Sequence, residues 1–264
     1  MIRRVCQYPR RFKTAFSYYK RPLGKIFPWL IHSHEDTNFT YDLSALNLEY
    51  LASFIAIVTQ CSPETATSYI HEALQDESLR NHIKEETIRH NSLSADFEAR
   101  FGRRLGWYAI VRSQKPSVVV ETGVDKGLGT CLIAAALLRN TQEGFPGRIY
   151  GIDIDPQAGY LLSGRYVEYG EILIGDAVQS LNRFDKPIDC FINDSDHSPV
   201  YERSEYETIK NKLSSKAILI GDNAHCSDEL RNFALRTDRN FLFFREEPVN
   251  HWYPGAGIGA AFPK

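Results

Sequence analysis

Asp194, Asp196 and His197 crowd together in DCFINDSDHSPVY (189–201), just past the apolar residues 190–192. A second apolar run, AILIGDNAH, ends on Asp222 and Asn223, followed by His225. Carboxylate and amide oxygens are hard ligands of the kind that magnesium takes. An imidazole beside them can accept a proton near neutral pH. Three more acids close apolar runs: Glu121 in VVVETG, Asp153 in IYGIDIDP and Asp176 in IGDA. Any one of these acids reads equally well as a helix N-cap or a loop charge. At successive strand ends they read as one site, which could hold a cation and activate a hydroxyl.

The stretch VVVETGVDKGLGT (118–130) leads from a buried strand through Gly123, Gly127 and Gly129 into a helical segment, TCLIAAALLRN. A dinucleotide loop has a shorter first glycine interval, and its pyrophosphate needs a helix N-terminus free of nearby negative charge. Glu121 suits a cationic ligand instead, such as an ammonium or a sulfonium. A carboxylate at Asp153 can take both hydroxyls of a ribose, and one at Asp176 can accept from an adenine amino group.

The elements that must position these groups are legible from residue 117 onward. Short apolar runs at 117–121, 147–153, 171–175, 188–193 and 217–222 alternate with intervals suited to crossover helices, which predicts a parallel α/β sheet wound on both sides. Ligands of such sheets bind beyond the carboxyl ends of the strands. Two closely spaced runs, 241–245 and 258–262, predict a hairpin at the sheet edge, joined by EEPVNHWYPGAG. Its His251, Trp252 and Tyr253, with Asp196 and His225, are candidates to face an acceptor. Upstream, Leu48, Leu51, Phe54, Ile55 and Val58 share one helical face, and Ser62–Pro63 opens another helix. A further helix is expected after Ser94, with Phe97, Phe101, Leu105 and Tyr108 along one stripe. Residues 1–36, punctuated by Pro9, Pro22 and Pro28, read as an irregular arm. NFTYDL (38–43) could close over a ligand. The domain reading is an arm at 1–36, a helical extension or lid at 37–112 and a ligand-binding domain at 113–264.

The series ETGxxxGxG, GIDIDP, GDA and FINDSDH resembles the class I S-adenosylmethionine-dependent methyltransferases over roughly residues 105–264. The resemblance implies a doubly wound, mostly parallel seven-stranded sheet with a C-terminal antiparallel hairpin. It implies that Glu121, Thr122, Gly123, Gly127, Gly129 and Thr130 shape the methionine end of the cofactor. Asp153 and Ile154 would meet its ribose, Asp176 and Ala177 its adenine, and Asp194 its reacting end. Within that class, Asp194 and the Asp222–Asn223 pair resemble the ligands of metal-dependent O-methyltransferases of the catechol and caffeoyl-CoA type and of bacterial sugar O-methyltransferases. By that resemblance Asp194, Asp222 and Asn223 would bind Mg2+ or another divalent cation. His197 stands where catechol-type enzymes carry a lysine and is the candidate base. A zinc site from His197 and His225 fits less well, because oxygen donors dominate the set.

The expected activity is therefore O-methylation of a small hydroxylated acceptor, a sugar or natural-product intermediate, with a divalent cation assisting. A metal-independent N- or O-methyltransferase using His197 as base is the alternative; a non-catalytic cofactor-binding or partner-docking subunit is another. Charge and composition narrow the field. The 264 residues are 43% hydrophobic and 24% charged, and the net charge of −2 divides into +8 over residues 1–34 and −10 over the rest. The acidic main body, without an Asn/Asp-Pro-Pro-aromatic motif, argues against a nucleic-acid substrate. The basic, aromatic arm could touch an anionic membrane, another subunit or its own domain; self-association is left open. Five scattered cysteines, with no CxxC pair, suggest neither a disulfide framework nor a cysteine zinc site and fit a reducing cytoplasm. No run approaches the length of a membrane span.

Overall fold

A computed structural model describes residues 8–90 and 97–264. The arm is not irregular: helix α1 runs over Tyr8–His32. Its apolar residues recur with helical period, and Pro9 sits in the first turn, where it needs no intrahelical donor. Pro22 and Pro28 each remove one backbone donor without ending the helix. After strand β1 (Asp42–Leu43) come α2 (Ala45–Thr59), α3 (Pro63–Gln75), α4 (Glu77–Arg89) and α5 (Arg104–Gln114). Ser44, Ser62 and Asp76 cap α2, α3 and α4 by accepting from backbone N–H groups. The helix expected after Ser94 starts only at Arg104. Gly102 adopts φ +51 with the Tyr41 ring against it, which interrupts helical backbone there; residues 91–96 of that expectation lie outside the described ones.

The apolar runs form β2 (Val118–Thr122), β3 (Arg148–Asp153), β4 (Gly170–Ile174), β5 (Ile188–Asn193) and β6 (Leu213–Asp222). With β7 (Asn240–Arg245) and β9 (Gly257–Phe262) they build one sheet in the order β4-β3-β2-β5-β6-β9-β7. The first five are parallel, and β9 runs antiparallel between β6 and β7. Helices α6 (Leu128–Gln142), α7 (Ala177–Arg183), α8 (Pro199–Ile209) and α9 (Glu229–Arg236) follow β2, β4, β5 and β6. The β3–β4 crossover departs from the expected helix: it carries only a 3-10 segment, Gly164–Tyr169.

Side chains alternate across the sheet, so its two faces build two cores. Val119, Cys190 and Ile218 pack under α2–α6, while Val120, Phe191 and Leu219 pack with Tyr206 and Phe233 of α8 and α9. Cys131 and Cys190 are core residues, as their apolar neighbours suggest. Arg112 of α5 locks the helical layer together: it is buried, and donates to Glu72 of α3 and to Asn140 and Glu143 at the end of α6. A small strand pair, β1 with β8 (Pro248–Val249), joins the N-terminal segment to the C-terminal hairpin. Among the described residues no helix is long and apolar enough to cross a membrane.

Candidate active site

The order of the sheet reverses between β2 and β5, and the residues that follow these two strands meet there. Asp194 N–H donates to the carbonyl of Thr122 at 2.8 Å. Gly123 turns at φ +81 against this junction, where a Cβ would collide with the Asp194 carbonyl. Gly127, at φ +89, opens α6 with its backbone against Gly159. Between this loop, the end of β5 and the segment 39–40 lies a cavity of about 710 Å³, within the range of small-molecule sites.

Glu121, Gly123, Gly129, Asp153 and Ile154 line the cavity on one side. Asp176, Ala177, Asp194, Asp196, His197 and Asn223 line it on the other. Thr122, Gly127 and Thr130 stand behind the wall; Thr130 donates to Glu121 Oε2 at 2.5 Å. Burial pushes the Glu121 carboxyl up to about 8, against the pull of the Thr130 hydroxyl and of Arg104. Asp153 holds the glycine loop: its Oδ2 accepts from the N–H groups of Val124 and Asp125, both at 2.8 Å. Asp176 caps α7 through Gln179 N–H and accepts from the Tyr201 hydroxyl at 2.9 Å. Asp196 accepts from Ser198 N–H in the turn before α8, and among the described residues no side chain caps that helix.

Beyond the ends of β5 and β6, one donor atom each of Asp194, His197 and Asp222 lie within 4.8 Å of one another. His197 Nε2 is 3.7 Å from Asp194 Oδ1, and its Nδ1 is 3.4 Å from Oε1 of the buried Glu202. The Glu202 carboxylate beside Nδ1 holds the imidazole above its ordinary pKa. Asn223 Nδ2 approaches His197 Nε2 at 3.3 Å and donates to Asp222 Oδ2 at 3.0 Å.

Residues 120–224 match the family model of a methyltransferase domain. That segment is an S-adenosylmethionine-dependent methyltransferase domain. The fold is similar to that of a methyltransferase from Geobacter sulfurreducens, at 18% identity over 72% of this chain and 89% of that one, with a TM-score of 0.51. It is also similar to the O-methyltransferase TomG from Streptomyces achromogenes, involved in tomaymycin synthesis and solved in complex with S-adenosylmethionine. That match has 16% identity over 72% and 91% of the two chains, with a TM-score of 0.54. At such identities the likeness is one of fold. No curated protein matches the sequence.

Two arginines that the sequence reading passed over organise the methyltransferase site. Arg103, buried, grips both oxygens of Asp222 through Nε (2.5 Å) and Nη2, and reaches Glu246 Oε1 at 2.9 Å with Nη1. Tyr41 closes the network, accepting from Arg103 at 2.7 Å and donating to Glu246 at 2.6 Å. Against the cost of its burial, the guanidinium holds Asp222 at about 2. Arg104 Nη2 lies 3.6 Å from Asp194 Oδ2. Burial, and then the Asp222 charge, push Asp194 well above the usual carboxylate range. With Asp194 ionised, three carboxylates (Asp194, Asp222, Glu246) face two guanidiniums, an excess of one negative charge. That excess and the converging donors fit a divalent cation, although it would share Asp222 with Arg103. His197 joins the three expected ligands in this group, since Asn223 Nδ2 also lies 3.3 Å from His197 Nε2 and 3.0 Å from Asp222 Oδ2.

The C-terminal loop does not line the cavity as expected. His251 is buried, with Nε2 2.9 Å from Glu35 Oε1; Trp252 packs on Trp29 and Tyr253 on Tyr41. His225 lies off the wall, beside Cys226 and Phe243. His251 and Tyr253 pack on Tyr41, whose hydroxyl joins the Arg103 network, so they brace that network rather than face the cavity. Phe39 and Thr40, from the segment read as a closing loop, do reach the wall.

Proposed function

We propose that this methyltransferase transfers the methyl group of S-adenosylmethionine to a hydroxyl of a small acceptor, a sugar or natural-product intermediate, assisted by a divalent cation. The observation that carries the reading is the imidazole of His197 on the cavity wall, backed by buried Glu202 and facing Asp194. S-adenosylmethionine would supply an electrophilic methyl group on a sulfonium. Glu121 would lie toward its cationic methionine end, Asp153 toward the ribose and Asp176 toward the adenine. Asp194 and Asp222, with Asn223 alongside, would hold a cation that lowers the pKa of the acceptor hydroxyl and would leave His197 Nε2 free as the base.

The Glu202 carboxylate, 3.4 Å from Nδ1, favours a proton on that nitrogen, which leaves Nε2 as the basic nitrogen toward the cavity. It would take the acceptor's hydroxyl proton while the methyl group passes from sulfur to oxygen and the thioether leaves, and the Glu202 carboxylate would stabilise the imidazolium that results. Position matters as much as basicity, since in-line displacement requires the oxygen to be held opposite the sulfur. The backbone at Asp194 and the glycine loop are locked together by the β2–β5 pairing, which favours such a fixed geometry.

A second reading rests on Arg103. Its two-pronged contact satisfies Asp222 without any metal, leaving His197 to act alone. Turnover of hydroxylated acceptors in EDTA, then with added Mg2+, separates the two: loss and recovery supports the cation, and EDTA-insensitive turnover removes it. In either case His197→Gln should lower kcat by about 10²–10⁴-fold with a smaller change in KM. Unchanged kcat in that variant would remove His197 as the base.

A further inference from the structure

Helix α1 carries an apolar face that nothing among the described residues covers. At about 100° per residue, Tyr8, Phe12, Phe16, Tyr19, Leu23, Ile26 and Leu30 fall in one arc, and all are exposed, Phe12 to 70%. Arg11 borders this arc on one side and Lys13 and Lys20 on the other; Arg10 and Lys25 lie opposite. Residues 1–34 contain no acid. At its far end the helix is anchored, with Trp29 packed edge-on against Trp252 at 5.5 Å.

We infer that α1 docks on an anionic lipid bilayer, lying in the plane of the surface. Its aromatic and aliphatic arc would enter the boundary between headgroups and acyl chains, and its flanking cations would reach lipid phosphates. The order of residues around the helix selects this occupant. An apolar arc needs an apolar partner, and the basic rim needs anions at the edge of that partner; an anionic bilayer supplies both. A nucleic acid would engage the basic arc and leave the aromatic one in water. A second copy would bury the apolar arc but set Arg11, Lys13 and Lys20 against their own counterparts, with no acid to offset them. The helix has 25 residues, about 37 Å at roughly 1.5 Å each. Six cations in the sequence 8–32 suit it to lying on a membrane rather than crossing one. The inference is independent of the methyl-transfer reading.

Cosedimentation of the full chain tests it, using vesicles of phosphatidylcholine alone and of phosphatidylcholine with phosphatidylglycerol. Binding to the anionic vesicles should be at least about tenfold tighter and should weaken as NaCl is raised. Phe12→Ser/Phe16→Ser and Lys13→Glu/Lys20→Glu should each lose about tenfold or more in affinity, with circular dichroism and S-adenosylmethionine binding unchanged. No binding to anionic vesicles, equal binding to both kinds, or full binding by either double variant overturns the assignment. So does a lipid-free dimer dispersed by Phe12→Ser/Phe16→Ser in a chain that ignores vesicles, which would give the face to a second copy. Duplex DNA binding lost only in Lys13→Glu/Lys20→Glu, without vesicle binding, overturns it equally.

Discussion

Burial sets the Glu121 carboxyl at about 8 in the unliganded protein, so near neutral pH it is mostly protonated. A sulfonium and an ammonium nearby favour the carboxylate, so the cofactor should bind the ionised form more tightly. The sign then follows from linkage. Affinity for S-adenosylmethionine should rise with pH up to about 8 and level off above it, and binding below that pH should release a proton. Calorimetry in buffers of different ionisation enthalpy measures that proton directly, and Glu121→Gln should abolish both the release and the pH slope. A flat profile in the wild-type protein would show that Glu121 does not sense the cofactor. Glu121 was legible as the acid before a glycine turn. Arg103 and Arg104 were not, because their meaning lies in partners far along the chain: Asp222 and Glu246 for Arg103 and Asp194 for Arg104. Nothing in FGRRLG distinguishes two buried guanidiniums from two solvated ones.

At the scale of the elements, the glycine loop is built around a contact that leaves no room for a side chain. Gly123 adopts φ +81, and any Cβ there would press on the backbone of Asp194 at the end of β5. An alanine must either strain in the left-handed region or push the loop off the strand end, each worth about 1 kcal/mol or more. Gly123→Ala should therefore raise the Kd for S-adenosylmethionine at least about tenfold, roughly 1.4 kcal/mol, and lower the melting temperature. Wild-type affinity in a folded Gly123→Ala protein would place the cofactor elsewhere. The strands that frame this loop were legible, since unbroken apolar runs ending in Gly, Asp or Asn have few other readings in a chain of this length. The α1 helix was not: three prolines suggested a broken arm, and the 3.6-residue recurrence of its aromatics outweighed them. Nor was the start of α5, where the Tyr41 ring against Gly102 comes from a segment about sixty residues earlier and leaves no mark in local periodicity.

Across the whole molecule, the segment 41–47 meets the C-terminal segment 245–249. β1 pairs with β8, Asn47 exchanges hydrogen bonds with the backbone at Arg245 and Glu247, and Tyr41 bonds Glu246. Such long-range closure is invisible to any window along the sequence, which is why the C-terminal aromatics were read as acceptor contacts rather than as braces. Glu35 is the tie that reaches the cavity wall. Its carboxylate, 4% exposed, accepts from the N–H groups of Phe39 at 3.0 Å and Thr40 at 2.9 Å, and meets His251 at 2.9 Å. Alanine there would strand two backbone donors and an imidazole in a buried place, at a cost of about 1–3 kcal/mol. The loss should be felt at the site as well as in stability, because Phe39 and Thr40 wall the cavity. Glu35→Ala should lower kcat/KM by about tenfold, equivalent to roughly 1.4 kcal/mol of transition-state stabilisation. Glu35→Gln, which keeps one acceptor oxygen for the Phe39 and Thr40 donors, should fall between. Thermal melts and steady-state kinetics on the two variants give both readings. A stability loss without a kinetic one would mean that the wall holds its shape through β1 and β8 alone, and that Glu35 serves the fold rather than the closure of the cavity.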